Sequence, residues 1–364
     1  MTRSVEVSVL ALLVLPALAV AQVAPDLGEI RQKASLTESD RGRIRTYIQQ
    51  TVRAMLTNTD PDRRGMVAAR TNLLAEVQDA EGRTGPYRQA FAQEMLAVLK
   101  ETGDQAVSQP ARVNVVMIVA GLQVLDAAPM LQQALVGDPY PASRYWAAKG
   151  LATLAPKIVQ RVVPSLEREI AVSIEKALQK PQPVMVLMPL FEALGTFDHE
   201  QAHDVLADGL IAKAGDLDMS DPLVQKMVSD VIGSLERAYS REVRPEAKKR
   251  LLLAYATLCT HIMPPPRVPD APPPAGYGRV MAELNASLEK VTGEDVGFES
   301  TEPLPLQQLA LLEWVERLAR TKRIDARPKM PAEVEEAVKA RQAGGGGEAG
   351  GASGAGEAAG NAGA

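Results

Sequence analysis

An all-α fold is what the sequence predicts: a solenoid of paired helices stacked as an α–α superhelix, followed by a C-terminal helical segment. Three observations predict it. Almost every window between Gln22 and Met263 carries apolar residues at the period of a buried helix face, and no alternating Val/Ile/Thr run bounded by hairpin turns interrupts them. Five prolines, Pro61, Pro110, Pro139, Pro181 and Pro222, each open such a stretch. Proline suits the first helical turn, where its missing N–H leaves no bond unmade. A leucine follows each of them at +12 or +13, at Leu73 (with Leu74), Leu122, Leu151, Leu194 and Leu235.

The chain opens on an address label. Val7 to Val20 is an apolar run behind Arg3, closing on Ala19-Val20-Ala21, the small-x-small pattern of a cleavage site. The run is shorter than the ~20 residues needed to span a bilayer as a helix. Pro16 near its end also fits a removable signal better than an anchor, although Glu6 offsets Arg3. Residues 1–21 are therefore expected to be a signal peptide, with a retained N-terminal anchor as the rival. Cleavage would leave Gln22 first and send the chain to the periplasm or the extracellular space. No cysteine follows the run, which excludes a lipoprotein, and no later segment is long and apolar enough to cross a membrane. Thr37 to Thr57 is expected to form part of an N-terminal cap, because the ends of a stacked array need covering.

Residues 22–263 form the expected array. Pro139 to Pro181 is 42 residues and Pro181 to Pro222 is 41. Pro61 to Pro139 is 78, two units of 39, although Pro110 divides it unevenly into 49 and 29. Glycines Gly121, Gly150 and Gly233 all stand at +11 from their prolines. Glycine within a helix costs about 1 kcal/mol against alanine, so its recurrence predicts close helix crossings that a side chain would block. The clearest unit runs from Ala127 to Leu154, with Asp138 in the inter-helix turn, Arg144 after it, and Ala147, Ala148 and Leu151 at buried-face spacing. This stretch resembles the HEAT family, and the period near 40 agrees. The resemblance covers roughly Asp60 to Met263. It implies an Asp–Arg pairing between neighbouring repeats and a scaffold for protein–protein interaction. Only this unit carries both residues in place: Asp60 and Asp221 match, Gln109 and Lys180 do not, and Arg64 and Arg112 are shifted. An irregular helical bundle without superhelical stacking is the alternative arrangement.

One motif looks like chemistry. Two of the three histidines fall in His199-Glu200-Gln201-Ala202-His203, an H-E-x-x-H pattern that resembles the zincin metalloprotease motif. On a helix, histidines at i and i+4 share a face and can bind Zn²⁺, with the glutamate between them as general base. That alternative makes His199 and His203 metal ligands, Glu200 the base, and Glu236 the nearest plausible third ligand. The surroundings read instead as a repeat boundary. Leu194-Gly195 ends one helix, and Asp198 with Gln201 makes a capping box for the next. His199 and His203 are then expected to be solvent-facing residues at a helix start, with no catalytic, metal or cofactor site. Cys259 is expected to be a small buried hydrophobe, and Met185, Met188 and Phe191 to be core.

Residues 264–276 are expected to be an extended linker, since Pro264 to Pro274 holds seven prolines in eleven positions. Residues 277–342 form a C-terminal helical segment whose strongest element, Leu304 to Ala319, is an amphipathic helix suited to cap the array. A basic run follows at Arg317, Arg320, Lys322, Arg323, Arg327 and Lys329, interrupted by Asp325. Cations there are favoured by the helix dipole, and docking to an acidic partner or anionic envelope polymer is the functional alternative. Residues 343–364, with ten Gly and eight Ala, have nothing to bury and are expected to be a flexible tail. A net charge of −5 argues against general nucleic-acid binding, and one cysteine forbids an internal disulfide and a cysteine-based zinc site. The functional expectation is an exported, non-enzymatic helical-repeat scaffold for a protein partner, without a cofactor; the alternative is a zinc hydrolase on the histidine motif.

Overall fold

Helix capping and proline placement divide the chain into its elements. The computed structural model describes residues 25–58, 62–106, 108–262, 276–294, 296 and 304–330, with scattered positions from 332 to 339. The expected signal peptide, most of the proline-rich linker, the Gly/Ala tail, Asp60 and Pro61 lie outside the described residues. Thirteen α-helices and no strand occur among the described residues. They are α1 (Glu38–Leu56), α2 (Arg64–Gln78), α3 (Gly85–Thr102), α4 (Gln109–Leu122), α5 (Ala128–Gly137), α6 (Pro141–Gln160) and α7 (Pro164–Leu178). They continue with α8 (Val184–Leu194), α9 (Glu200–Lys213), α10 (Pro222–Arg241), α11 (Pro245–His261), α12 (Tyr277–Thr292) and α13 (Leu304–Arg320). No helix among the described residues is long and apolar enough to cross a membrane.

Local chemistry sets these boundaries. Thr37 caps α1 in a reciprocal box with Asp40, and Thr84 and Ser108 cap α3 and α4 through their hydroxyls. Proline occupies the first turn of α3 to α7, α10 and α11. The register prolines mark alternate helices. Pro110 and Pro222 lie in the first turns of α4 and α10, while Pro139 and Pro181 stand just ahead of α6 and α8. Their partner leucines Leu73, Leu122, Leu151, Leu194 and Leu235 are all buried.

The helices pack in two layers. Odd-numbered helices lie against odd and even against even, each next to the helix two places on in the chain, except α3 and α5. Polar bonds show that the even helices run parallel: Gln78 reaches Gly121, Lys157 reaches Gln123, Arg144 reaches Gln182 and Arg241 reaches Thr196. This arrangement fits a helical solenoid, in which each unit buries its apolar face on its neighbours. The alternation continues past the proline-rich stretch: α12 packs on α10 and α13 on α11. Tyr255 of α11 shares a 2.7 Å hydroxyl bond with Ser287 of α12, and Trp314 of α13 is fully buried.

One interruption explains the uneven spacing around Pro110. Helix α3 is 18 residues long and α5 only 10. α3 and α5 lack the packing that every other next-but-one pair has. A cleft of about 720 Å³ lies between them, lined by Leu96, Val115, Val116, Val119 and Met130.

The expected Asp–Arg pairing takes a different form. Asp138 faces Arg112 of the preceding unit at 3.8 Å, and Arg144 donates forward to Gln182 at 3.0 Å. The displaced arginine thus makes the backward contact, and a glutamine replaces the next aspartate. Cys259 is buried in α11, and burial pushes its thiol pKa up. The folded chain is therefore expected to resist a thiol reagent such as dithionitrobenzoate and to react fully once denatured. Rapid native labelling would show that α11 opens.

Candidate functional site

The histidine motif lies where three inter-helix turns, α6–α7, α8–α9 and α10–α11, come together. Glu167, in the first turn of α7, accepts hydrogen bonds from the backbone N–H groups of Asp198 and His199 at 2.8 and 2.9 Å. These bonds hold the approach to α9 extended, so the helix begins one residue later than the expected Asp198 cap. His199 is the N-cap, and its Nδ1 accepts from the Gln201 N–H at 3.1 Å. Asp198 instead pairs with Arg241 at 2.9 Å. His199 therefore precedes the helix rather than sharing an i, i+4 face with His203.

Against the expectation of a solvent-facing residue, His203 is buried, at 2% exposure. Its Nδ1 lies 2.9 Å from Glu242 Oε2 and its Nε2 3.2 Å from the Phe197 carbonyl oxygen. Both ring nitrogens thus point at acceptors, and neither presents a lone pair to the cleft. The ring ties α9 to the turn before it and to the α10–α11 turn of the next unit. The residue one helical turn in from the cap thus faces both the turn before its own helix and the α10–α11 turn that follows.

Glu242 is the centre of the cluster. Its Oε1 accepts from the Val243 and Arg244 N–H groups, each at 2.9 Å, and from Arg244 Nε at 3.1 Å. Burial works to raise its pKa, but the bonds from Arg244 and His203 outweigh it and hold the carboxyl at about 2. Glu242 in turn raises the Arg244 pKa, with Asp204 adding to the effect. Arg244 reaches Asp204 at 3.1 Å and Glu200 at 3.5 Å. Glu200, the expected base of the alternative, is an exposed member of this ion network. Glu236 bonds to Lys290 of α12 at 3.2 Å and does not line the cleft of about 420 Å³ that His199, Glu200 and His203 share. No group of three or more His, Cys, Asp or Glu side chains placed to hold a metal ion occurs among the described residues.

Buried carboxylates at inter-helix turns recur. Glu76 accepts from Arg31, Arg83 and the Tyr87 hydroxyl, at 2.7, 3.0 and 2.8 Å. Burial would raise its pKa, yet these bonds hold it below the ordinary value. Glu76, Glu167 and Glu242 escaped sequence reasoning, because an acid near a helix end reads as a solvated charge. The Arg-Pro pair directly after Glu242-Val243 was the one available signal.

The other candidates resolve simply. Phe191 is core, Met188 is half-buried and Met185 is 41% exposed. His261 Nδ1 is engaged with the Thr257 carbonyl at 2.9 Å. Within the basic run, Arg323 and Arg327 pair with Glu294 and Glu316, and Asp325 faces Lys249. The run is thus partly neutralised within the fold. No protein-family model matches the sequence, and neither a curated protein nor a solved structure shows significant similarity to it.

Proposed function

We propose that the chain is an exported, non-enzymatic, HEAT-like superhelical scaffold that holds a protein partner. The observation carrying this reading is the two-layer packing of alternate helices, which lays equivalent side chains of successive units in rows. Such rows form the extended binding surfaces that solenoids use. The histidine motif supports it as well, since His203 is spent on joining one unit to the next. Export rests on the N-terminal run ending at Ala21.

The test is photo-crosslinking in the envelope fraction, from probes placed along both layers, together with mass of the mature N-terminus. A specific, saturable partner and a chain beginning at Gln22 are the expected results. Stoichiometric zinc that is lost in His203→Ala, with a turnover lost alongside it, would overturn the reading in favour of a hydrolase.

A further inference from the structure

The helices α2, α4, α6 and α8 of the even layer differ in charge from the protein as a whole. Helices α4 and α6 contain no acidic residue, and α6 carries Arg144, Lys149 and Lys157, whereas Arg112 of α4 lines the cleft between α3 and α5 and faces Asp138. α2 adds Arg70 and Arg64, the latter paired with Asp62 at 3.5 Å, and its one acid, Glu76, is buried and already held by Arg31 and Arg83. α8 contributes only Glu192. In a chain of net charge −5, this is a concentrated basic field.

Several of these cations lack a carboxylate partner among the described residues. Arg70 is half-buried, and its guanidinium meets only the Asn114 amide oxygen at 2.7 Å and the Met117 sulfur at 3.0 Å. Burial lowers its pKa, with no anion to offset the cost. Lys157 bonds to the Gln123 carbonyl and side-chain oxygens, both at 3.1 Å. Lys149 is exposed and lies 4.9 Å from the centre of the Trp146 ring.

Apolar side chains stand among the cations. Of the five exposed large hydrophobic residues among the described residues, Val67, Met185 and Leu223 fall in the first turn of an even helix, α2, α8 and α10, at 45%, 41% and 39% exposure, while Val162 and Val243 lie in the turns after α6 and α10. Because the even helices are parallel, their first turns line one end of the layer. Partly buried Trp146, edge-on to Tyr145 with ring centres 5.4 Å apart, lies in the second turn of α6. Aromatic and methionine side chains at such positions are typical of binding hot spots.

We propose that this face of α2, α4, α6 and α8 docks an acidic polypeptide segment that carries apolar or aromatic side chains. The proposal rests on the scaffold reading and adds the surface and the chemistry of the partner. The cations select a negatively charged segment, while Trp146 and Met185 call for apolar side chains that an anionic polysaccharide would not supply.

A random glutamate–tyrosine copolymer, fluorescently labelled, is the probe, titrated into the full chain with anisotropy as the readout. Saturable binding that weakens with salt is expected, tighter than for polyglutamate. Lys149→Glu and Met185→Asp, both at exposed positions, should each weaken it about tenfold or more. Lys176→Glu on α7 makes the same charge change in the odd layer and should leave it within about twofold. Circular dichroism and gel filtration confirm that each variant folds. Absence of copolymer binding, equal losses in Lys149→Glu and Lys176→Glu, or heparin binding as tightly through the same residues would overturn the proposal. A cellular partner that crosslinks through the odd layer and not through Lys149 would overturn it while leaving the scaffold standing.

Discussion

Gly195→Ala is expected to destabilise the chain by about 3 kcal/mol or more, whereas Gly233→Ala stabilises it by up to about 1 kcal/mol. Gly195 ends α8 with an ordinary right-handed backbone, so its value is space rather than conformational freedom. An added Cβ would lie 2.6 Å from the Ser234 Cα and 2.8 Å from its hydroxyl, in the middle of α10. Backbone cannot swing aside as a side-chain tip can, so α8 and α10 must separate along their contact. At Gly233 an added Cβ meets only the end of the Arg237 guanidinium, at 3.4 Å. There the gain in helix propensity wins. Gly150→Ala is intermediate in kind, since its Cβ would lie 3.1 Å from the Ala120 Cα of α4 and 2.9 Å from the movable Leu131 tip. Thermal denaturation separates the cases: Gly195→Ala should melt on the order of 5 °C lower or more. A Gly195→Ala protein as stable as its parent would show that the α8–α10 contact is looser than described.

These three glycines also show how far the sequence could be read. Register against the prolines singled out Gly121, Gly150 and Gly233, and it placed a close crossing at Gly150 correctly. It misjudged Gly233, which faces along its own helix, and it passed over Gly195, which lies outside the register at a helix end. The even helices were legible because prolines recur in or just ahead of their first turns and the leucines that follow are buried in each. The long-range polar contacts were not, because hydrogen-bond partners depend on which turn lies beside which. Nothing local to His203 says that Glu242 lies across the next unit, so the histidine read as a surface residue. The acid-free composition of α4 and α6 was present in the sequence as well. It carried no meaning until those two helices were known to be neighbours in one layer.

Acid should release that joint between units. The Glu242 carboxyl has its pKa held at about 2, below the ordinary 4.5 of a glutamate, and its side chain is 2% exposed. A carboxylate with a depressed native pKa stabilises the fold above its unfolded value and loses that stabilisation as pH falls toward the native one. The difference corresponds to roughly 3 kcal/mol, present in full above about pH 5 and withdrawn progressively toward about pH 2. Glu76, Asp40, Asp79 and Glu335 act in the same direction, so the wild-type slope contains all of these groups. Glu242→Gln keeps the side-chain shape while removing the charge that Arg244 and His203 bind. The variant is expected to be about 3 kcal/mol less stable than wild type at neutral pH in urea denaturation, with the gap closing between pH 5 and pH 2. Amide exchange should localise the loss to the start of α9 and the α10–α11 turn, because those are the segments the carboxylate joins. Parallel pH profiles for the two proteins would show instead that the charge on Glu242 contributes nothing. The joint would then hold by packing of the His203 ring alone, a role that asparagine at 203 would not replace.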